Sequence, residues 1–171
     1  KKVQWEQLKR TEFEEYIAAE AVVIIPVGAM EQHGEHLPVN TDTSCCYAIA
    51  KTAAERIEDV KVLVLPPIWA GCSPHHMQME HAEGTISIGF HTFADLLTDI
   101  AACVYAHGFR RIMFLNGHGG NTALVTAVRF KLGEEKRIPS VHCFTYWMLP
   151  DVPELMKSIA ETDKGHIGHA G

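Results

Sequence analysis

Hydrophobic positions along this chain fall into short unbroken runs separated by longer stretches of helical spacing. The run AVVIIPV at 21–27 is β-branched and uncharged, and it reads as a buried strand. VKVLVLPPI at 60–68 reads as a second strand, stopped by Pro66 and Pro67. RRIMFLNG at 110–117 and SVHCFTYWM at 140–148 are the third and fourth. Between them lie the helical patterns. Thr11 with Glu14 three residues on makes a capping box and predicts a short helix over 12–19. Asp42 or Thr43 caps a helix through SCCYAIAKTAAERI. Phe93, Leu96, Leu97, Ile100, Ala101, Val104 and Tyr105 share one helical face, and Gly108 ends it. NTALVTAVRFKL at 121–132 is another helix, ended by Gly133, and Asp151 with Glu154 opens a last one to about Glu161. Residues 70–91 read as a long loop carrying His75, His76 and His81.

Strands alternating with helices predict an α/β fold: one three-layer α/β/α domain over 1–171 with a mostly parallel sheet. In open parallel sheets, ligands bind beyond the carboxyl ends of the strands. GAMEQHGEHLPVNTDT (28–43) follows the first strand and NGHGGN (116–121) follows the third, so both loops lie on that edge.

Composition narrows the classes. A formal charge of −6, with basic residues no more clustered than Lys9-Arg10 and Arg110-Arg111, argues against nucleic-acid binding. The longest apolar run, Ala21–Met30, is too short to span a bilayer and contains Pro26. Five cysteines, an odd number without a CxxC, and no visible signal peptide place the chain in a reducing compartment, the cytoplasm. A thiolate zinc cluster is not expected.

The two loops carry ligand-type side chains. Glu31 and His33 are two apart and share a side in extended chain. Asp42 opens the next helix, and His118 sits among Gly117, Gly119 and Gly120 with little around its ring. Glu31, His33, Asp42 and His118 form a mixed nitrogen–oxygen set that suits Zn²⁺, Mn²⁺ or Fe²⁺ better than Ca²⁺ or Cu⁺. Plainer readings stand beside this one. Asp42 alone is an ordinary N-cap, and His36 reads as a buried hydrogen-bonding histidine. NGHGGN alone could be a tight turn or a phosphate cradle at a helix N-terminus. His75, His76 and His81 read as solvated imidazoles on a substrate-contacting loop, with a third ligand group as the alternative. Trp69, Tyr146 and Trp147 read as core or pocket wall.

GAMEQHGEHLPVNTDT resembles the first signature of the creatininase (creatinine amidohydrolase) family, NGHGGN its second, and GHIGHAG the start of its third; GTISI (84–88) matches a further landmark. The resemblance implies a homohexameric hydrolase that cleaves non-peptide, small or cyclic amide C–N bonds by a metal-activated water. Its cofactor would be a dinuclear centre of zinc, manganese or iron. Glu31, Asp42 and His118 match the ligands of one cation, and His33 with a bridging Asp42 those of the other. Glu31 also counts as a catalytic carboxylate, His36 matches a neighbouring position, and His169 matches the proton donor to the leaving nitrogen. Where creatininase has a glutamate two residues after the NGH histidine, this chain has Gly120; where it has a substrate-cradling tryptophan, this chain has Gly165. The glutamates of the third signature are expected beyond Gly171. The rival expectations are a catalytically inactive metal-binding scaffold and a phosphate-ligand binder using NGHGGN.

Overall fold

A computed structural model of the chain describes residues 1–160; the expectations on Gly165 and His169 lie outside the described residues. Four strands, β1 (Val22–Val27), β2 (Val62–Val64), β3 (Arg111–Asn116) and β4 (Val141–Thr145), form one sheet in the order β2-β1-β3-β4. Every pairing is parallel, with Val27 level with Asn116 and Asn116 level with Thr145 at the carboxyl ends. The crossovers carry α2 (Thr41–Arg56), α3 (Phe90–Ala106) and α4 (Thr122–Glu134), while α1 (Phe13–Ala18) precedes β1 and α5 (Val152–Ile159) follows β4.

Strand side chains alternate between two cores, which makes three layers. Val23, Ile25, Val27, Leu63, Ile112 and Phe114 point to one face, covered by Phe93, Leu97 and Ala101 of α3 and Leu124, Val125 and Val128 of α4. Ile24, Val62, Val64 and Leu115 point to the other, covered by Cys46, Ala50 and Ala54 of α2. The small residues on α2 let that helix sit close to the sheet.

Several boundaries differ from expectation for local physical reasons. Before α1 the chain makes a 3-10 turn over Arg10–Glu12, and Glu12 rather than Glu14 accepts a backbone hydrogen bond, from Lys9 N–H. Asn40, not Asp42 or Thr43, is the N-cap of α2, and it makes no side-chain cap hydrogen bond. Thr43 instead donates its hydroxyl to the Ala29 carbonyl at 2.8 Å, tying the helix to the loop after β1. β2 is only three residues long, though Ile68 still bridges to Val27 past the prolines. α4 runs through Gly133 to Glu134, because a helical turn there needs no side chain.

Candidate metal centre

The strand order decides where the chemistry meets. β1 lies between β2 and β3, so the chain leaves β1 toward one neighbour while β3 enters on the other side. The loops after β1 and β3 flank that switch point. Gly117 N–H donates to the Val27 carbonyl at 2.8 Å, carrying the contact past the last paired residues.

Glu31, Asp42 and His118 converge there, each offering one donor atom within 4.8 Å of the others. His118 Nδ1 lies 3.2 Å from Glu31 Oε1 and 3.0 Å from Asp42 Oδ2. The other Asp42 oxygen, Oδ1, lies 3.1 Å from His33 Nε2. Asp42 therefore joins the two imidazoles, one through each oxygen. The ring orientations are set from behind. His33 Nδ1 lies 3.0 Å from the Glu31 carbonyl, which can only accept, so Nδ1 carries the proton and Nε2 faces Asp42. His118 Nε2 lies 3.0 Å from the Ser73 hydroxyl, which leaves Nδ1 for the carboxylates. Glu31, His33 and His118 are buried.

The NGHGGN loop gives nearly every residue a separate task. Asn116 clamps the His118 backbone from both sides: its Oδ1 accepts from His118 N–H at 3.1 Å, and its amide donates to the His118 carbonyl at 2.8 Å. Asn121, wholly buried, accepts from Cys72 N–H at 2.9 Å and donates to the Gly28 carbonyl at 2.9 Å, so it joins the loops after β1, β2 and β3. A Cβ on Gly117 would lie 2.5 Å from Cys46 Cβ and 2.8 Å from the Asp42 carbonyl. One on Gly120 would lie 2.5 Å from both the Cys72 carbonyl and His118 Nε2, whereas Gly119 has open space. Alanine at 117 or 120 is expected to cost about 1–3 kcal/mol each by overpacking against backbone. Alanine at 119 should stay within about 0.5 kcal/mol. Urea unfolding of the three variants checks this, and equal losses at all three positions would contradict it.

Burial pushes the Glu31 carboxyl up, but the hydrogen bond and charge of His118, with Ser73 and His76, outweigh it and hold it at about 2. Burial pulls His118 down, but Asp42 and Glu31 outweigh that and raise it to about 9. The raised His118 stabilises the metal-free fold fully below its ordinary 6.5, and that contribution is lost as pH rises through about 9. The depressed Glu31 contributes above its ordinary 4.5 and loses this as pH falls through about 2. The two contributions are both complete between 4.5 and 6.5, where the metal-free chain is expected to melt highest. A cation needs the neutral imidazole, so zinc binding at pH 7 should release about one proton and tighten up to about pH 9. Calorimetry in buffers of different ionisation enthalpy measures this; a proton-neutral titration would contradict it.

The donor chemistry fits a divalent transition metal. Glu31, His33, Asp42, His75, His76 and His118 line a cavity of ≈ 710 Å³ whose described walls carry no Lys or Arg. Leu37, Tyr146 and Trp147 complete one wall. Two carboxylates facing this space oppose a phosphate, which argues against the anion-cradle reading of NGHGGN.

The structure corrects two histidine expectations and supplies residues the sequence reading missed. His36 is exposed on a tight turn between the bridged residues His33 and Leu37, not buried. His76 is buried rather than solvated, with Nδ1 2.8 Å from Glu31 Oε2. Ser73, Asn116 and Asn121 also hold the site together; the two asparagines bracket NGHGGN and are its sequence signal, while nothing in the pattern marks Ser73.

Comparison with known proteins gives a consistent result. The profile of a family described as "Creatininase: Creatinine amidohydrolase" matches residues 6–171. A mycofactocin precursor peptide peptidase of Mycolicibacterium smegmatis is 41% identical over 151 residues, covering 86% of this chain and 57% of that protein. A creatinine amidohydrolase of Pseudomonas putida is 34% identical over 122 residues, covering 70% of this chain and 46% of that protein. A mutant creatininase of the Zn-Zn type superposes with a TM-score of 0.80 at 29% identity, over 99% of this chain and 67% of that one. The chain spans about half the length of the curated relatives it matches. Among the described residues, no helix is long and apolar enough to cross a membrane.

Proposed function

Because the chain belongs to the creatininase family, we propose that it carries the metal centre of a metal-dependent amidohydrolase acting on an amide C–N bond. The observation that carries this is the convergence of Glu31, Asp42 and His118 at the carboxyl edge of the sheet, with Asp42 shared toward His33. Two carboxylates and imidazole nitrogens are ligands for zinc, manganese or iron, and His33 with Asp42 begins a second cation position. A divalent cation held there supplies a Lewis acid for the amide carbonyl and lowers the pKa of a water toward neutrality.

The remaining tasks belong to the chain itself. Glu31 and Asp42 fix the charge of the centre, while Ser73 and the Glu31 carbonyl fix which nitrogens of His118 and His33 face it. Gly119 and Gly120 line the cavity, and their backbone N–H groups are assigned the charge that would develop on the carbonyl oxygen. Tyr146, pushed up to about 12 by burial and nearby negative charge, stays protonated and forms with Trp147 a wall that shields the reacting amide from water. His169, outside the described residues, is assigned the proton delivered to the leaving nitrogen, by its place in HAG.

The test removes the metal. Zinc content and hydrolysis are measured before and after dialysis against a chelator, with creatinine, other lactams, formamides and a short peptide as substrates. Loss of both on chelation and return with Zn²⁺ is the expected result. Hydrolysis indifferent to the chelator would end the proposal. Zinc bound without hydrolysis of any amide would leave the scaffold reading.

A further inference from the structure

Glu31 has two working oxygens. Oε1 faces His118 in the centre described above, and Oε2 lies 2.8 Å from His76 Nδ1. His75 completes a second group, in which one donor atom each from Glu31, His75 and His76 lies within 4.8 Å of the others. We propose that Glu31, His75 and His76 form a cation site of their own, separate from Asp42, His33 and His118, that takes Zn²⁺ or a cation of similar softness. The inference rests on the reading of this cavity as a metal centre, and it adds a site on the opposite side of the same carboxylate.

Two imidazoles and one carboxylate are a three-ligand set that leaves a fourth position open, as catalytic zinc sites require. The ligands sit on a braced segment. His76 begins a single 3-10 turn, His76–Gln78, closed by Gln78 N–H to the His75 carbonyl at 3.1 Å and Met77 N–H to the Ser73 carbonyl at 3.3 Å. That turn hangs from Ser73, whose N–H donates to Ser87 Oγ at 2.9 Å, and from Cys72, held by Asn121. The His75 and His76 rings lie 4.0 Å apart, and the His75 ring is stacked 6.2 Å from that of His118. Glu31 and His76 are buried while His75 is exposed, so an ion would be reached from the cavity through the His75 side.

A simpler account makes Glu31–His76 a structural ion pair. That account gives His75 no task, which is where the two ideas part. Gly120, also on the cavity wall, offers no side chain as a ligand. A Cβ there would already meet His118. Among the described residues, Glu31/His75/His76 and Glu31/Asp42/His118 are the two places where three donor atoms converge.

Zn²⁺ alone is titrated calorimetrically into the metal-free chain, its His75→Ala variant, its Asp42→Asn variant and the H75A/H76Q double variant. His75 is exposed, so His75→Ala should fold like the parent by circular dichroism. The wild type is expected to show two classes of zinc. His75→Ala should weaken one class about 10- to 100-fold and keep the other, and Asp42→Asn should do the converse. Zinc bound by H75A and by the double variant with unchanged number and affinity would overturn the site and leave the structural ion pair. Zinc lost from H75A but retained by Asp42→Asn would keep this site and sink the centre under Proposed function. Zinc bound by none of the four would sink both.

Discussion

Replacing His118 with alanine is expected to abolish metal-dependent amide hydrolysis, by about 10³-fold or more, which is roughly 4 kcal/mol of transition-state stabilisation. His118 Nδ1 meets both Glu31 and Asp42. Without it, a cation between Glu31 and Asp42 would lose a ligand that Ser73 and Asn116 hold in place from behind. A second consequence concerns the metal-free protein. Glu31 and Asp42 would then share a water-poor space without the imidazolium between them. Breaking a buried pair in this way costs about 3–5 kcal/mol. The two like charges also push a carboxyl up, which makes it easier to protonate as pH falls. The variant should therefore melt lower than the parent at pH 7 and regain part of that loss at pH 5. Full hydrolysis, or the same melting deficit at both pH values, would show that His118 does not sit at the heart of the centre.

Asn121→Ala should have the next largest effect, on stability and site together. The Asn121 amide is wholly buried and joins the three loops through the backbone of two of them. Alanine leaves the Cys72 N–H and the Gly28 carbonyl without their partner, at about 1–3 kcal/mol for each buried group. A loss of about 2–5 kcal/mol in urea unfolding is expected. Zinc affinity should fall as well, because Glu31 follows Gly28, Ser73 follows Cys72, and His118 precedes Asn121 in the three loops being released. A change below about 1 kcal/mol with unaltered zinc affinity would show that the loops are held by other contacts.

The layers, and the sheet edge on which Glu31, Asp42 and His118 meet, could be read from the sequence because periodicity is a one-dimensional record of burial. AVVIIPV and the IMFL of RRIMFLNG are apolar on successive residues, as strands covered on both faces must be. The seven apolar positions from Phe93 to Tyr105 repeat as one face of a helix must. Glu31, His33, Asp42 and His118 stood out because charged or polar groups beside buried strands need partners. Pattern failed where two outcomes share one composition. Thr11, Asp42 and Thr43 have the chemistry of helix caps, but Thr43 and Asp42 bond to tertiary partners instead, and local propensity is weaker than those bonds. His36 and His76 are both loop histidines with polar neighbours, and nothing local says that the first faces water and the second faces Glu31.

Residue pattern alone was enough for a parallel α/β chain with a carboxylate-and-imidazole set at the carboxyl edge of its sheet. It was enough because strand and helix periods, and the cost of leaving such groups unpaired, act over a few neighbouring residues. The tertiary structure alone decided that β1 and β3 would be neighbours, and hence that Asp42 would join His33 to His118. It also decided that Asn121 would join three loops and that His76 would turn inward to the second oxygen of Glu31. Apart from the nine-residue separation of His33 and Asp42, those contacts span tens of residues along the chain. Their geometry is set by how strands order themselves in the sheet, which no local pattern of side chains encodes.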